Sequence, residues 1–243
     1  MPDRTAPMGS TLIYRNDGNP LVLSMVPPGA CRILDVGCGG GDLARRLRAR
    51  RPDIEVVGLT RSAAEAEIAA PHMTAVHVLD LEHGIDEDMR AEWGAPFDLL
   101  IFSHVLEHLV DPVRVLRDCL GSLNPGAHVL IAVPNVLEWR TRLQFLRGRF
   151  AYAEQGILDR THLRFYTFHT AATELLSPIA GLDLVTRRGR GAVPLGPLRR
   201  IGAARGLWSQ LDSAGVRLVP NLCARETALL ARWTPGGGTS ESD

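Results

Sequence analysis

"ILDVGCGGG", residues 33–41, decides how the rest of the chain is read. An apolar run interrupted by Asp35 enters a turn with glycine at 37, 39, 40 and 41. The stretch "GDLARRLRARR" (41–51) follows, with Leu43 and Leu47 spaced to face inward on a helix. Strand, glycine turn and helix in that order form a βα unit. Its turn lies at the strand's carboxyl end, where open α/β sheets receive ligands. Gly37, Gly39 and Gly41 allow tight turning and close approach of a ligand to the backbone. A dinucleotide fingerprint needs glycine at 42, where this chain has Asp42. Asp35, just inside the strand, puts a carboxylate beside the ligand, which suits a cationic amino group better than a pyrophosphate.

Beyond this unit the same alternation continues. "IEVVGLT" (54–60), "AVHVLD" (75–80), "FDLLIFS" (97–103) and "HVLIAVPN" (128–135) predict strands, and 62–70 and 111–123 predict helices. Strands alternating with helices imply right-handed crossovers and a mostly parallel, doubly wound sheet of Rossmann-like α/β class. "GLDLVTRR" (181–188) and "CARETALLARW" (223–233) predict an antiparallel pair at the sheet edge. Residues 136–166 and 189–221, rich in Arg, Gly or Pro, do not fit the alternation and are long enough to form a lid or substrate wall. One domain over 19–233 is expected, with a flexible N-terminus (1–18) and a solvated tail (234–243).

The chain's 243 residues are 45% hydrophobic, and 27 basic residues balance 27 acidic ones. That suffices for one well-buried domain and argues against a nucleic-acid partner held by bulk charge. Cys31, Cys38, Cys119 and Cys223 show no metal or disulfide spacing. The first residues lack the apolar core of a signal peptide, and no apolar run is long enough to cross a bilayer. The expectation is a reduced, cytoplasmic protein without a membrane partner.

A second signal is "SHVLEHL" (103–109), two histidines and a glutamate directly after an apolar strand. If the chain turns helical from Val105, positions 104, 107 and 108 share a face. Three readings stand. Glu107 and His108 tie down a loop; or a neutral imidazole serves as general base; or the cluster binds a metal. His72, His77, His83, His128 and His169 show no constellation. Arg140, Arg142, Arg147 and Arg149, interleaved with Trp139, Phe145, Phe150 and Tyr152, fit either a solvent-facing helix or a cover over an anionic acceptor.

"ILDVGCGGG" resembles the first motif of class I S-adenosylmethionine-dependent methyltransferases. "FDLLIFSHVLEHLVDPVRVLRDCLGSLNPGAHVLIAVPN" is similar to their fourth-to-fifth-strand block, and "GILDRTHLRFYT" (156–167) resembles a signature near the ubiquinone-type O-methyltransferases, met in glycan and natural-product pathways. The likeness covers roughly residues 30–188 and implies a seven-stranded sheet. It implies that Gly37, Gly39 and Gly41 hug the cofactor's methionine part and that Asp35 holds its amino group. Asp80 would accept from the adenine amino group, Leu81 would lend its backbone N–H, and Ser103 and His104 would line the sulfonium side. Thr60 stands where these enzymes carry an acid that grips the ribose, a departure shared with the cyclopropane synthases. Tyr14 and Arg15 fall where related enzymes fold an N-terminal segment over the cofactor.

Small-RNA 2′-O-methyltransferases resemble this chain in a Glu-x-x-Glu-His block that binds a divalent cation with a later histidine. Here the ligands implied are His104, Glu107, His108 and His162, a set suited to Zn²⁺, Mn²⁺ or Fe²⁺ more than Mg²⁺. His104, His108 and His162 are also the candidate catalytic residues, and Arg160 and Arg164 flank the last. The implied reaction is methyl transfer from S-adenosylmethionine to a hydroxyl of a small-molecule acceptor, a natural product or sugar, by a monomer or homodimer. The alternatives are N-methylation of an amino sugar and a non-catalytic nucleotide-binding module.

Overall fold

A computed structural model describes residues 18–195 and 205–236. The expectations for Tyr14, Arg15 and most of both termini lie outside these residues. Seven strands build one sheet: β1 (Arg32–Val36), β2 (Glu55–Thr60), β3 (Ala75–Val78), β4 (Phe97–Ser103), β5 (Leu123–Pro134), β6 (Leu182–Gly191) and β7 (Ala224–Trp233). Their spatial order is β3-β2-β1-β4-β5-β7-β6, and only β7 runs against its neighbours. The helices are α1 (Pro20–Leu23), α2 (Asp42–Arg50), α3 (Ala63–Ala69), α4 (Glu87–Glu92), α5 (Pro112–Leu120), α6 (Trp139–Leu146), α7 (Thr170–Leu175), α8 (Arg205–Leu218) and α9 (Pro220–Cys223).

Successive side chains of a strand point to opposite faces, so a strand covered on both sides must be apolar throughout. β1 and β4 follow this rule along most of their length, with Asp35 a buried exception. Leu34, Val36, Leu100 and Phe102 face a core completed by Val115 and Leu116 of α5 and Leu175 of α7. Ile33, Leu99 and Ile101 face the other core, with Leu21 of α1 and Leu43 and Leu47 of α2. Helix starts are set locally: Asp111 accepts from Arg114 N at 3.0 Å ahead of Pro112, and Ser62 accepts from Glu65 N at 3.3 Å.

The antiparallel setting of β7 brings a further carboxylate to the ligand edge. β1 to β6 all deliver their carboxyl ends to that edge of the sheet, whereas β7 delivers its amino end there. Glu226 therefore lies opposite Pro134 of β5 and Arg190 of β6.

Several expectations shift. β5 starts at Leu123, five residues before the predicted 128, by pairing Leu123 with Phe97 ahead of an irregularity in the ladder. Residues 136–166 contain α6, and bridges from Asn135 to Tyr166 and from Ala153 to Asp159 tie the following loop to the body. Within 189–221, the described residues complete β6 and contain α8 and part of α9. Among the described residues, no helix is long and apolar enough to cross a membrane.

Leu130 is fully buried in β5, while Leu184 of β6 is 41% exposed. Leu130→Ala is expected to cost about 2–5 kcal/mol in urea unfolding, and Leu184→Ala under roughly 0.5 kcal/mol.

Candidate functional site

The glycine turn caps β1 and is held from below, as Gly37 N and Cys38 N both donate to Leu59 O of β2, at 2.8 and 3.0 Å. Gly37 and Gly41 have φ of 74° and 76°, in the left-handed region. A Cβ on Gly37 would lie 2.3 Å from a methyl of Val105, and one on Gly41 would lie 3.0 Å from Ala69 Cα. Glycine is thus required by backbone conformation and by close packing of the next elements. Asp35 sits under the turn, buried, and its Oδ2 has no partner among the described residues. Desolvation by burial pushes its carboxyl up to about 7. A buried carboxyl with an unused oxygen is a fitting counter-ion for a ligand's ammonium group.

At the end of β2, Thr60 donates its hydroxyl to Glu65 Oε2 at 2.7 Å, and both residues are buried. Glu65 belongs to the first turn of α3, so a carboxylate from the helix occupies the neighbourhood where the sequence shows only threonine. Glu65 is a residue that motif reading missed. Its signal was nonetheless present: Ser62-x-x-Glu65 is a capping-box spacing. Asp80 follows β3 and caps the single 3₁₀ turn Leu81–His83, accepting from Glu82 N at 3.0 Å. Asp80 and Leu81 both remain half-exposed on this edge.

Past β4 the chain does not become α-helical. His104 adopts φ of 59°, and Leu106–His108 forms one 3₁₀ turn. His104 consequently parts from the face it was expected to share. Its Nδ1 lies 3.2 Å from Glu107 Oε1 and its Nε2 lies 3.1 Å from Glu226 Oε2. Burial opposes its charge, yet hydrogen bonds to and the negative charges of Glu107 and Glu226 outweigh burial and raise the imidazole to about 10. Both ring nitrogens are thus engaged by carboxylates. His104 is not among the three residues whose ligand atoms converge.

Glu107, His108 and His162 do come together, each offering one ligand atom within 4.8 Å of the others. The "DRTHLRFYT" segment is pinned there because Leu163 N and Arg164 N donate to Glu107 O at 2.8 and 3.0 Å. His162 Nδ1–H donates to Ile157 O at 3.0 Å, which leaves Nε2 bearing a lone pair, 4.0 Å from Glu107 Oε1. Desolvation holds the His162 imidazole below its ordinary pKa, although the Glu107 charge opposes it. His108 Nδ1 lies 3.0 Å from Thr161 Oγ1, which itself donates to Asp159 Oδ1 at 2.7 Å. Glu107 Oε2 is buried without a partner among the described residues. Two imidazoles braced from behind and one buried carboxylate fit a divalent cation of the first transition row. Arg160 and Arg164 turn elsewhere, to Glu154 and to Val110 O. Arg140 stacks on Trp139, and Phe145 and Phe150 stack on each other.

Comparison with known proteins adds the family. Residues 8–183 match the model of a family described as "Methyltransferase domain". The chain belongs to that family. Its sheet order and glycine turn are those of a class I S-adenosylmethionine-dependent methyltransferase. A ubiquinone biosynthesis O-methyltransferase of Vibrio parahaemolyticus is 34% identical over 106 residues, 43% of this chain and 44% of that protein. The match thus spans under half the length of that curated relative. A SAM-dependent methyltransferase from Archaeoglobus fulgidus shares the fold with a TM-score of 0.54 at 19% identity, over 84% of this chain and 86% of that one. The plantazolicin methyltransferase BpumL in complex with SAH gives 0.54 at 16% identity, over 87% and 79%.

Within this methyltransferase fold the other residue that sequence reading missed is Glu226. Nothing near it in the chain marks it, because its partner His104 lies 122 positions away. Asn19, the cap of α1, donates to both Glu226 Oε2 at 3.0 Å and Ser103 Oγ at 3.3 Å, joining three remote segments at one point.

The raised Asp35 value makes a stability prediction. A carboxyl whose folded value, about 7, exceeds its ordinary 3.8 leaves the apoprotein fully stable below pH ~4 and costs stability as pH rises toward 7. Asp35→Asn should raise the apo melting temperature at pH 8, by roughly 2–4 °C per kcal/mol recovered, and change little at pH 4. Calorimetric scans of both proteins at the two pH values check this.

Proposed function

We propose that this chain methylates a hydroxyl oxygen of a small molecule, using S-adenosylmethionine and a divalent cation held by Glu107, His108 and His162. The observation that carries the reading is the placement of this braced cluster directly after β4 in a methyltransferase-family fold, on the edge that bears the glycine turn. The O-methyltransferase named among the relatives supports oxygen as the acceptor atom.

When bound, S-adenosylmethionine supplies a sulfonium methyl that bonds to the acceptor oxygen as the carbon–sulfur bond breaks, leaving S-adenosylhomocysteine and a proton released to solvent. A divalent cation in the cluster supplies a Lewis acid that lowers an acceptor hydroxyl's pKa. The chain's own residues do the rest. Asp35 meets the cofactor's ammonium group, and its carboxyl ionises fully as that charge arrives. Glu65, steadied by Thr60, accepts from the ribose hydroxyls. Asp80 and the Leu81 N–H address the adenine. His104 and Glu226 hold Glu107 in place, and Ile157 O and Thr161 fix which nitrogens of His162 and His108 face the cluster.

The metal and ribose assignments are tested separately. EDTA should abolish methyl transfer and Mn²⁺, Co²⁺ or Zn²⁺ should restore it, whereas full activity in EDTA overturns the metal assignment. His162→Ala should remove metal binding, measured by dialysis and elemental analysis, and leave S-adenosylhomocysteine affinity nearly unchanged. Glu65→Ala should weaken S-adenosylhomocysteine binding by about 1–3 kcal/mol in titration calorimetry. Unchanged affinity would show that Glu65 does not touch the ribose.

A further inference from the structure

One face of α8 is docked on the body of the protein. A Cβ on Gly189 of β6 would meet Val216 Cγ1 at 3.0 Å, and one on Gly215 would meet Val193 Cγ1 at 2.1 Å. Asp212 accepts from Val193 N at 2.9 Å on the same side. A second face carries Leu207, Leu211, Ala214 and Leu218, at spacings of four, three and four residues. Those spacings place the four in one stripe, roughly a third of a turn round the helix from the docked side.

The stripe is apolar and open. Leu207 is 54% exposed, Leu211 38% and Leu218 78%, and Ala214 is exposed as well. Single apolar residues scattered over a surface need no explanation, but three leucines in line at the seam spacing of paired helices do.

The stripe is also its own complement. A second α8, reversed about the point between Asp212 and Ser213, sets Leu207 against the partner's Leu218 and Leu211 against the partner's Ala214. Large then meets small at the centre of the seam, and the contact is the same on both copies, as a two-fold axis requires. A parallel pair in register would put Ala214 on Ala214 and leave a gap. The open flank of the stripe carries Gln210 and Arg217, both exposed. Arg217 has no hydrogen-bond or ion-pair partner among the described residues. Reversal brings it beside the partner's Gln210, whose amide oxygen accepts from a guanidinium, and no like charges meet across the seam.

Area sets the strength. α8 has 14 residues and is about 21 Å long. Covering the stripe and its flank on two copies removes on the order of 800–1,000 Å² from water, the small end of specific interfaces. Such a contact is reversible, with a dissociation constant on the order of 10–100 µM.

We propose that the chain forms a two-fold homodimer through α8, the two helices antiparallel and Leu207, Leu211, Ala214 and Leu218 at the seam.

Sedimentation velocity of the full chain between about 5 and 200 µM tests this, with mass rising from monomer toward dimer across the range. Leu211→Glu and Leu218→Arg should each weaken association more than about tenfold, with melting temperature unchanged because both side chains are exposed. Leu207→Glu should do the same alone, yet regain association when mixed with Leu218→Arg, since the reversed register sets the new charges face to face. A wild type that stays monomeric at 200 µM overturns the proposal and leaves the face to a foreign partner. Undiminished dimer in both Leu211→Glu and Leu218→Arg places the contact elsewhere and overturns it too. Absence of rescue in the mixture overturns the antiparallel register.

Discussion

His104 bridges two carboxylates, Glu107 from the turn after β4 and Glu226 from the start of β7, and much of the ligand edge is arranged around that bridge. Two buried carboxylates this close repel strongly in a medium of low dielectric, and an imidazolium between them converts repulsion into two charge-assisted hydrogen bonds. Asn19 and Arg190 add further donors to Glu226, which together with His104 hold its carboxyl below the ordinary range even though burial opposes this. The network ties α1, β4, β6 and β7 together and fixes the face of Glu107 turned toward His108 and His162. Removing the imidazole would leave uncompensated buried charge, a far larger loss than one hydrogen bond.

A formal charge of zero hides a division of labour along the sheet edge. On the β1–β3 side lie the carboxyl groups of Asp35, Glu65 and Asp80, two of them buried. On the β6 side, Arg188, Arg190 and Arg217 line a cleft with one acidic residue. Between them stands the cluster of Glu107, His108 and His162.

Packing rather than ligand approach explains part of the glycine turn. Val105 and Ala69 fill the space beside Gly37 and Gly41, so larger residues there would push apart the β4 turn and α3. Those two elements carry Glu107 and Glu65 respectively, and the turn therefore positions residues far from it in sequence.

The strands and helices were largely legible from the chain, because apolar runs and 3.6-residue spacing act over a few residues and report burial directly. Asp35, Asp80 and the His108–Glu107 pair stand out in the sequence because each is adjacent to a strand end. The partnership of His162 with them could be drawn only by likeness, since no local signal connects positions 107 and 162. The conformation at His104 was not legible: one left-handed residue replaced the first helical turn and set the ring between Glu107 and Glu226. Glu226 and Thr60–Glu65 depended on strand direction and on helix placement, which are global properties. The sequence by itself determined the α/β class and the glycine turn, since these follow from short-range pattern. Only the tertiary structure decided which histidine bridges Glu107 to Glu226 and which two converge with Glu107 as a cluster, because that choice is made by long-range neighbours competing for the same ring nitrogens.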